Sequence, residues 1–198
     1  MKFPISEKEL QHSYKTIMSE VDKLSFERRT QIWRDWPKIL ENAGSWECLR
    51  DLHIRLFGGL FDFAGKIRKT NISKGGFKFA NAMYIENILP SVISMPQKTF
   101  DEIVSKYVEM NILHPFREGN GRTMRLWLDA MLEHELNTRI NWPIIGRDAY
   151  LEAMERSPVN TLELVTLLKK SCLSPDLLKN ESIFIAALSA SYEYEYGD

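Results

Sequence analysis

Apolar side chains in this chain recur mainly three and four residues apart, the spacing that gathers them on one face of an α-helix. Over 99–113, Phe100, Ile103, Val104, Tyr107, Val108 and Ile112 form one such stripe and predict a helix with a single buried face. The run Met124, Leu126, Trp127, Leu128, Ala130, Met131 and Leu132 is apolar on more than one face. A helix over 124–136 is therefore expected at the centre of the molecule, surrounded by others. Further helices are expected near 7–23, 26–41, 46–57, 85–95, 147–156, 161–172 and 181–194. The pairs Ser6/Glu9, Thr99/Glu102 and Asn160/Glu163 have the offset at which a cap residue and the third residue bind each other's main-chain N–H. Pro37 is expected to kink or end the second helix, and Gly58-Gly59 to close the third through a left-handed residue.

One stretch breaks the pattern. In NISKGGFKFANAMY, residues 71–84, a Lys74-Gly75-Gly76 turn is followed by Phe77 and Phe79 in period-two alternation, which predicts a short exposed hairpin. The architecture expected from pattern alone is thus all-α with one small hairpin and no internal repeat.

Composition narrows the function classes. With 198 residues, 44% hydrophobic and 27% charged, the chain has the makeup of one ordinary globular domain able to bury a core. A net charge of -1 gives no footprint for direct nucleic-acid binding. No apolar run is long enough to span a membrane, and the N-terminus lacks the apolar region of a signal peptide, so a cytoplasmic protein is expected. Cys48 and Cys172 stand far apart and form neither a CxxC pair nor a Cys/His cluster, so they are read as core fillers.

The chemistry concentrates in H114-P-F-R-E-G-N-G-R-T-M-R125, between two predicted helices. Gly119 and Gly121 flank Asn120, which lets the main chain turn its N–H groups inward where the next helix begins with its positive dipole end. Such a concavity suits phosphate. Arg122 and Arg125, three apart at that N-terminus, oppose the dipole unless an anion lies between them. Glu118 supplies a hard oxygen ligand of the kind Mg²⁺ takes alongside phosphate oxygens, and His114 can serve as a general base near neutral pH. Singly, each residue has an ordinary explanation: a hydrogen-bonded surface histidine, a turn, a solvated carboxylate, a surface ion pair. Their conjunction in twelve residues does not. Neither GxxxxGK[ST] nor a GxGxxG after a strand is present, so a P-loop or Rossmann site is not the nucleotide holder.

This segment resembles the signature of the Fic (filamentation induced by cAMP) family, HPFx[D/E]GNGRxxR, at every defined position. Upstream, LFGGLFDFAGKIRKTNISKGGFKFAN is similar to a second family block and its substrate-facing flap, and Phe63 stands where relatives often carry Trp. The resemblance implies an all-α Fic-type bundle with a β-hairpin flap over the site. It implies a single domain over 1–198, with a core at about 45–172, N-terminal helices over 1–44 and an inhibitory helix at about 181–196. It also implies a protein adenylyltransferase that moves AMP from Mg²⁺-bound ATP to a hydroxyl of a target protein. In that reading His114 takes the hydroxyl proton and Glu118 holds Mg²⁺. Gly119, Asn120 and Gly121 face the α- and β-phosphates, Arg122 the β-phosphate and Arg125 the γ-phosphate. The flap, Lys74 to Phe77 with Gly75 and Gly76 between, aligns the target as an added strand, Lys74 and Phe77 being its contact points.

Fic proteins with a C-terminal inhibitory helix carry [S/T]xxxE[G/N], whose Glu pairs with the second signature arginine. Here Ser191 and Glu195 fit, with Tyr196 departing at the last position. Autoinhibition through Arg125 is therefore implied, with Tyr192 a candidate for self-modification on release. The target, with its Tyr, Ser or Thr hydroxyl, is not specified. Topoisomerase subunits enter only by family analogy, and a homo-oligomer is left open. Three alternatives stand: a Doc-type phosphotransferase, disfavoured by Gly121 where that group has Lys; transfer of UMP or phosphocholine; and a non-catalytic helical interaction module.

Overall fold

The computed structural model describes residues 2–12, 14–74 and 77–193, with side chains as far as residue 190. Among them are ten α-helices, α1 Glu7–His12, α2 Tyr14–Phe26, α3 Arg29–Leu40, α4 Trp46–Phe57, α5 Ile85–Ile93, α6 Phe100–Leu113, α7 Asn120–Leu136, α8 Arg147–Arg156, α9 Leu162–Lys170 and α10 Glu181–Glu193. Two strands, β1 Ser73–Lys74 and β2 Phe77–Lys78, pair antiparallel with Lys74 opposite Phe77, forming the expected hairpin. All-α with a small hairpin is the architecture found.

The core is built around α7, which packs against α3, α4, α6 and α10. Met124 to Leu132 is buried on every face, the apolar side chains and Asp129 alike. The cap pairs divide. Ser6/Glu9 and Thr99/Glu102 form reciprocal boxes, whereas Glu163 turns its carboxylate to Arg156 at 2.7 and 2.8 Å, so the expected Asn160/Glu163 box does not form. A guanidinium fork within reach outcompetes a single main-chain N–H for that carboxylate.

Two boundaries also differ. The helix expected over 7–23 is described as α1 and α2, the latter reaching Phe26. Pro37 lies inside α3, which runs on to Leu40. At the end of α4, Gly58 has φ -56° and Gly59 is the left-handed residue at +74°. Phe63 is buried and stacked on Phe61, ring centroids 4.6 Å apart, so the aromatic role at that position is kept by a smaller ring. Cys48 is buried with its thiol pushed up to about 12 by burial, while Cys172 is only partly buried. No helix among the described residues is long and apolar enough to cross a membrane.

Candidate active site

The two central helices meet at the loop 114–119. α6 ends where His114 adopts the left-handed conformation, φ 50°, its N–H still donating to the Met110 carbonyl at 2.9 Å. Histidine is among the few non-glycine residues that accept this region. The turn aims the ring back over the last turn of α6, where Nδ1 lies 3.1 Å from the Asn111 carbonyl. A carbonyl only accepts, so Nδ1 carries the proton and, in the neutral ring, Nε2 holds the lone pair a general base needs. Phe79, just beyond β2, stacks on the imidazole at 3.7 Å between centroids and 18°.

Phe116 then anchors the loop in the core, buried between Trp46 at 5.5 Å and His53 at 3.9 Å. Asn120 turns inward. Its Nδ2 donates to the Phe116 carbonyl at 2.7 Å and its Oδ1 accepts the Phe116 N–H at 2.8 Å. The side chain expected at a phosphate is thus engaged inside the loop, and its contribution to an anion site is the loop's shape. Gly119, φ +77°, makes the final turn, and a Cβ there would meet the Phe57 ring at 2.3 Å. α7 starts at once, at Asn120, so Gly121, Arg122 and Arg125 lie on its first turns. The opening N–H groups of a helix have no intrahelical acceptor, and those of α7 begin directly after the loop that His114 starts.

Both arginines are buried. Arg122 pairs through Nη1 with Asp22 of α2 and lies over the Phe57 ring at 4.9 Å. Arg125 lies 5.8 Å from the Tyr150 ring, whose hydroxyl bonds that of Tyr107. Glu118 bonds through Oε1 with the Gly119 N–H at 3.0 Å and through Oε2 with the Tyr14 hydroxyl at 3.1 Å. Its carboxylate is only partly buried. Among the described residues no three His, Cys, Asp or Glu side chains gather as a metal cage. One hard carboxylate beside a helix N-terminus fits Mg²⁺ brought with substrate phosphates, which needs only one or two protein oxygens.

Sequence reasoning missed several residues. His53, fully buried, accepts the Gly65 N–H on Nδ1 at 3.0 Å, which obliges its Nε2–H to donate to the Glu118 carbonyl at 2.9 Å. Burial pulls its pKa down to about 4, so it is a neutral brace, fixed in one tautomer. Arg68, Asp22, Tyr14 and Phe79 likewise touch the site from elsewhere in the chain, and only Phe79 left a trace in the pattern, through its alternation with Phe77. Of the flap residues, Lys74 is exposed and Phe77 partly so, while Gly75 and Gly76 lie outside the described residues. The side chains of Ser191 and Tyr192, and Glu195 altogether, also lie outside them.

Residues 45–132 match the Fic/DOC family model. The chain is 32% identical over 133 residues to the protein adenylyltransferase VbhT of Bartonella schoenbuchensis, covering 61% of this chain and 27% of that protein. It is 27% identical over 137 residues to the probable protein adenylyltransferase Fic of Escherichia coli, covering 64% and 68% respectively. Among solved structures, the N-terminal FIC domain of Bep8 from Bartonella sp. 1-1C superposes with a TM-score of 0.70 at 16% identity, over 84% of this chain and 88% of that one. The N-terminal Fic domain of a cell filamentation protein from Bartonella quintana, with bound ADP, gives 0.68 at 16%, over 81% and 86%. At such identities these likenesses speak to the fold.

Proposed function

From a chain whose residues 45–132 match the Fic/DOC family model, we propose a protein adenylyltransferase that transfers AMP from ATP to a target protein's hydroxyl. One observation carries this reading: His114, with Nδ1 committed to Asn111, presents Nε2 one short loop away from a helix N-terminus that holds two buried arginines. In the proposed reaction Nε2 accepts the target hydroxyl proton as that oxygen attacks the α-phosphorus of ATP. The bond from the α-phosphorus to its bridging oxygen breaks, and pyrophosphate leaves with the bonding electrons. In this reading the α7 N–H groups, Arg122 and Arg125 meet the charge on the phosphates, and catalysis of this kind rests chiefly on positioning and charge. Glu118 is the residue that would hold Mg²⁺, whose part is to neutralise phosphate charge. The hairpin, with Lys74 and Phe77 outermost, aligns the target segment by main-chain pairing. A cytoplasmic setting accords with a reaction fuelled by ATP.

The same reading extends to control. α10 packs on α3 and α7, with Phe184 between Trp33 and Trp36; its last turn contains Ser191, and Glu195 follows it in the sequence. A carboxylate brought to Arg125 would compete with the γ-phosphate for the guanidinium fork. The resting enzyme is then inhibited, and Tyr192 is a site for self-labelling once released. The test is to incubate the protein with α-labelled or γ-labelled ATP in cell lysate. Protein should take label from the α-phosphate, excess UTP should not compete, and His114→Ala should remove transfer while nucleotide binding persists. Label from the γ-phosphate would mean phosphotransfer instead, and an unchanged rate in His114→Ala would overturn the assigned base.

A further inference from the structure

Arg68 lies between α4 and the hairpin and is 1% exposed. Among the described residues no carboxylate faces it, and burial lowers its pKa, with Arg117 adding to the effect. A buried guanidinium without a counter-charge is costly, so its surroundings must supply negative potential in another form. They are main-chain carbonyls. Nε donates to His114 at 2.7 Å, Nη1 to Thr70 at 2.7 Å, and Nη2 to Ala80 and, at 3.2 Å, to Leu113, while the Arg68 main-chain N–H donates to Pro115 at 2.8 Å. Leu113 and His114 close α6, where terminal carbonyls lack intrahelical donors and the dipole is negative, so a cation is favoured there.

These acceptors belong to three separate pieces of chain. Thr70 begins the outgoing leg of the hairpin, Ala80 ends the returning leg, and Leu113 to Pro115 carries the histidine. One planar fork joins them all. Ala80 also donates its N–H to Ile112 at 3.0 Å, and Phe79 beside it stacks on the His114 ring. A lysine in the same place would present one point of charge and could not span carbonyls on opposite sides.

We propose that Arg68 is the positioning residue of this site, holding the His114 main chain and both legs of the hairpin as one rigid unit. The spacing between Nε2 and the hairpin edge is then constant. The proposal rests on reading His114 as the base, but it makes a prediction that does not depend on the reaction. With ¹⁵N-histidine, the His114 resonance, assigned by its loss in His114→Ala, should show the Nδ1–H tautomer in the wild type. In Arg68→Lys it should shift toward Nε2–H. Binding of MgAMPPNP, held from α7, should stay within about twofold, while transfer falls about a hundredfold, the order expected of a ~1 Å misplacement. Should Arg68→Lys fail to fold, the wild type still decides, because the Arg68 Nε–H must exchange with water far more slowly than that of an exposed arginine. Fast exchange, an unmoved tautomer, or equal losses of nucleotide binding and transfer would each overturn the proposal. A tautomer that shifts in a protein showing no AMP transfer would keep Arg68 in its role and reject the reaction.

Discussion

His53 illustrates how one buried side chain governs a loop it does not belong to. It can accept from Gly65 only while neutral, and burial lowers its pKa from 6.5 to about 4. Between those values the unfolded chain binds a proton that the folded chain refuses. The contribution of His53 is therefore complete above pH 6.5 and is lost as pH falls toward 4, in total about 3 kcal/mol at ~1.4 kcal/mol per unit. Asp129 works in the opposite sense. Burial raises it to about 7, so its protonated form favours the fold at low pH and that contribution fades as pH rises toward 7. Thermal unfolding measured from pH 8 to 4 sums these opposed trends, and His53→Asn should remove the acid-loss component, so that its stability holds up better toward pH 4 relative to pH 8 than the wild type's does, at some cost in stability at pH 8. A His53→Asn curve parallel to the wild type would place the titration elsewhere.

Among the elements, α6 and α7 owe their positions to different means. α6 is pinned at its start by the Thr99/Glu102 box and at its end by a left-handed histidine, whereas α7 is held by burial over nearly its whole length. α10 packs on α7 as well, and on α3. Its main anchor is Phe184, 5.1 Å from Trp33, 4.9 Å from Trp36 and 4.9 Å from the Arg139 guanidinium. Phe184→Ala should cost about 3–5 kcal/mol, the usual penalty for emptying a buried aromatic site. On the proposed inhibition it should also raise transfer, as should Glu195→Gly without the stability loss. Arg125→Ala in the Glu195→Gly background should abolish the gain. Calorimetry and α-label incorporation separate the two effects, and a Glu195→Gly protein that binds MgATP yet labels no faster than wild type would end the autoinhibition reading.

At the scale of the molecule, the first two helices do more than cover the core. Glu7 faces Arg117 at 3.7 Å, Tyr14 donates to Glu118, and Asp22 pairs with the buried Arg122. Three separate positions along the N-terminal segment thus reach the loop and its helix. Removing the charge of Asp22 should be felt at both levels, since taking one partner from a buried pair leaves the other's charge poorly compensated. Asp22→Asn is expected to lower stability by about 3 kcal/mol or more and to weaken MgAMPPNP binding through a displaced Arg122. Denaturant unfolding and nucleotide titration test this, and a neutral substitution in both would show that Arg122 is held without Asp22.

Much of this arrangement was legible in the chain itself. The helices from α3 through α10 were located to within a few residues, apart from the start of α7 four residues early, because periodicity and caps are local properties. The candidate site was legible for the same reason: twelve contiguous residues contain the histidine, the glycine turn and both arginines, and a reader needs no fold to see them together. What only the tertiary structure decided is separated by long stretches of chain. Arg68 reaches His114 across 46 residues, His53 reaches Glu118 across 65, Asp22 reaches Arg122 across 100 and Tyr14 reaches Glu118 across 104. A histidine or an arginine in an amphipathic stretch looks alike whether it is solvated or buried against a carbonyl. The direction of Asn120 and the partner of Glu163 were undecided in the same way, because a side chain with two acceptable partners takes the one that packing brings nearer. The chain's local patterns set which groups could do chemistry, and burial set which of them are held still enough to do it.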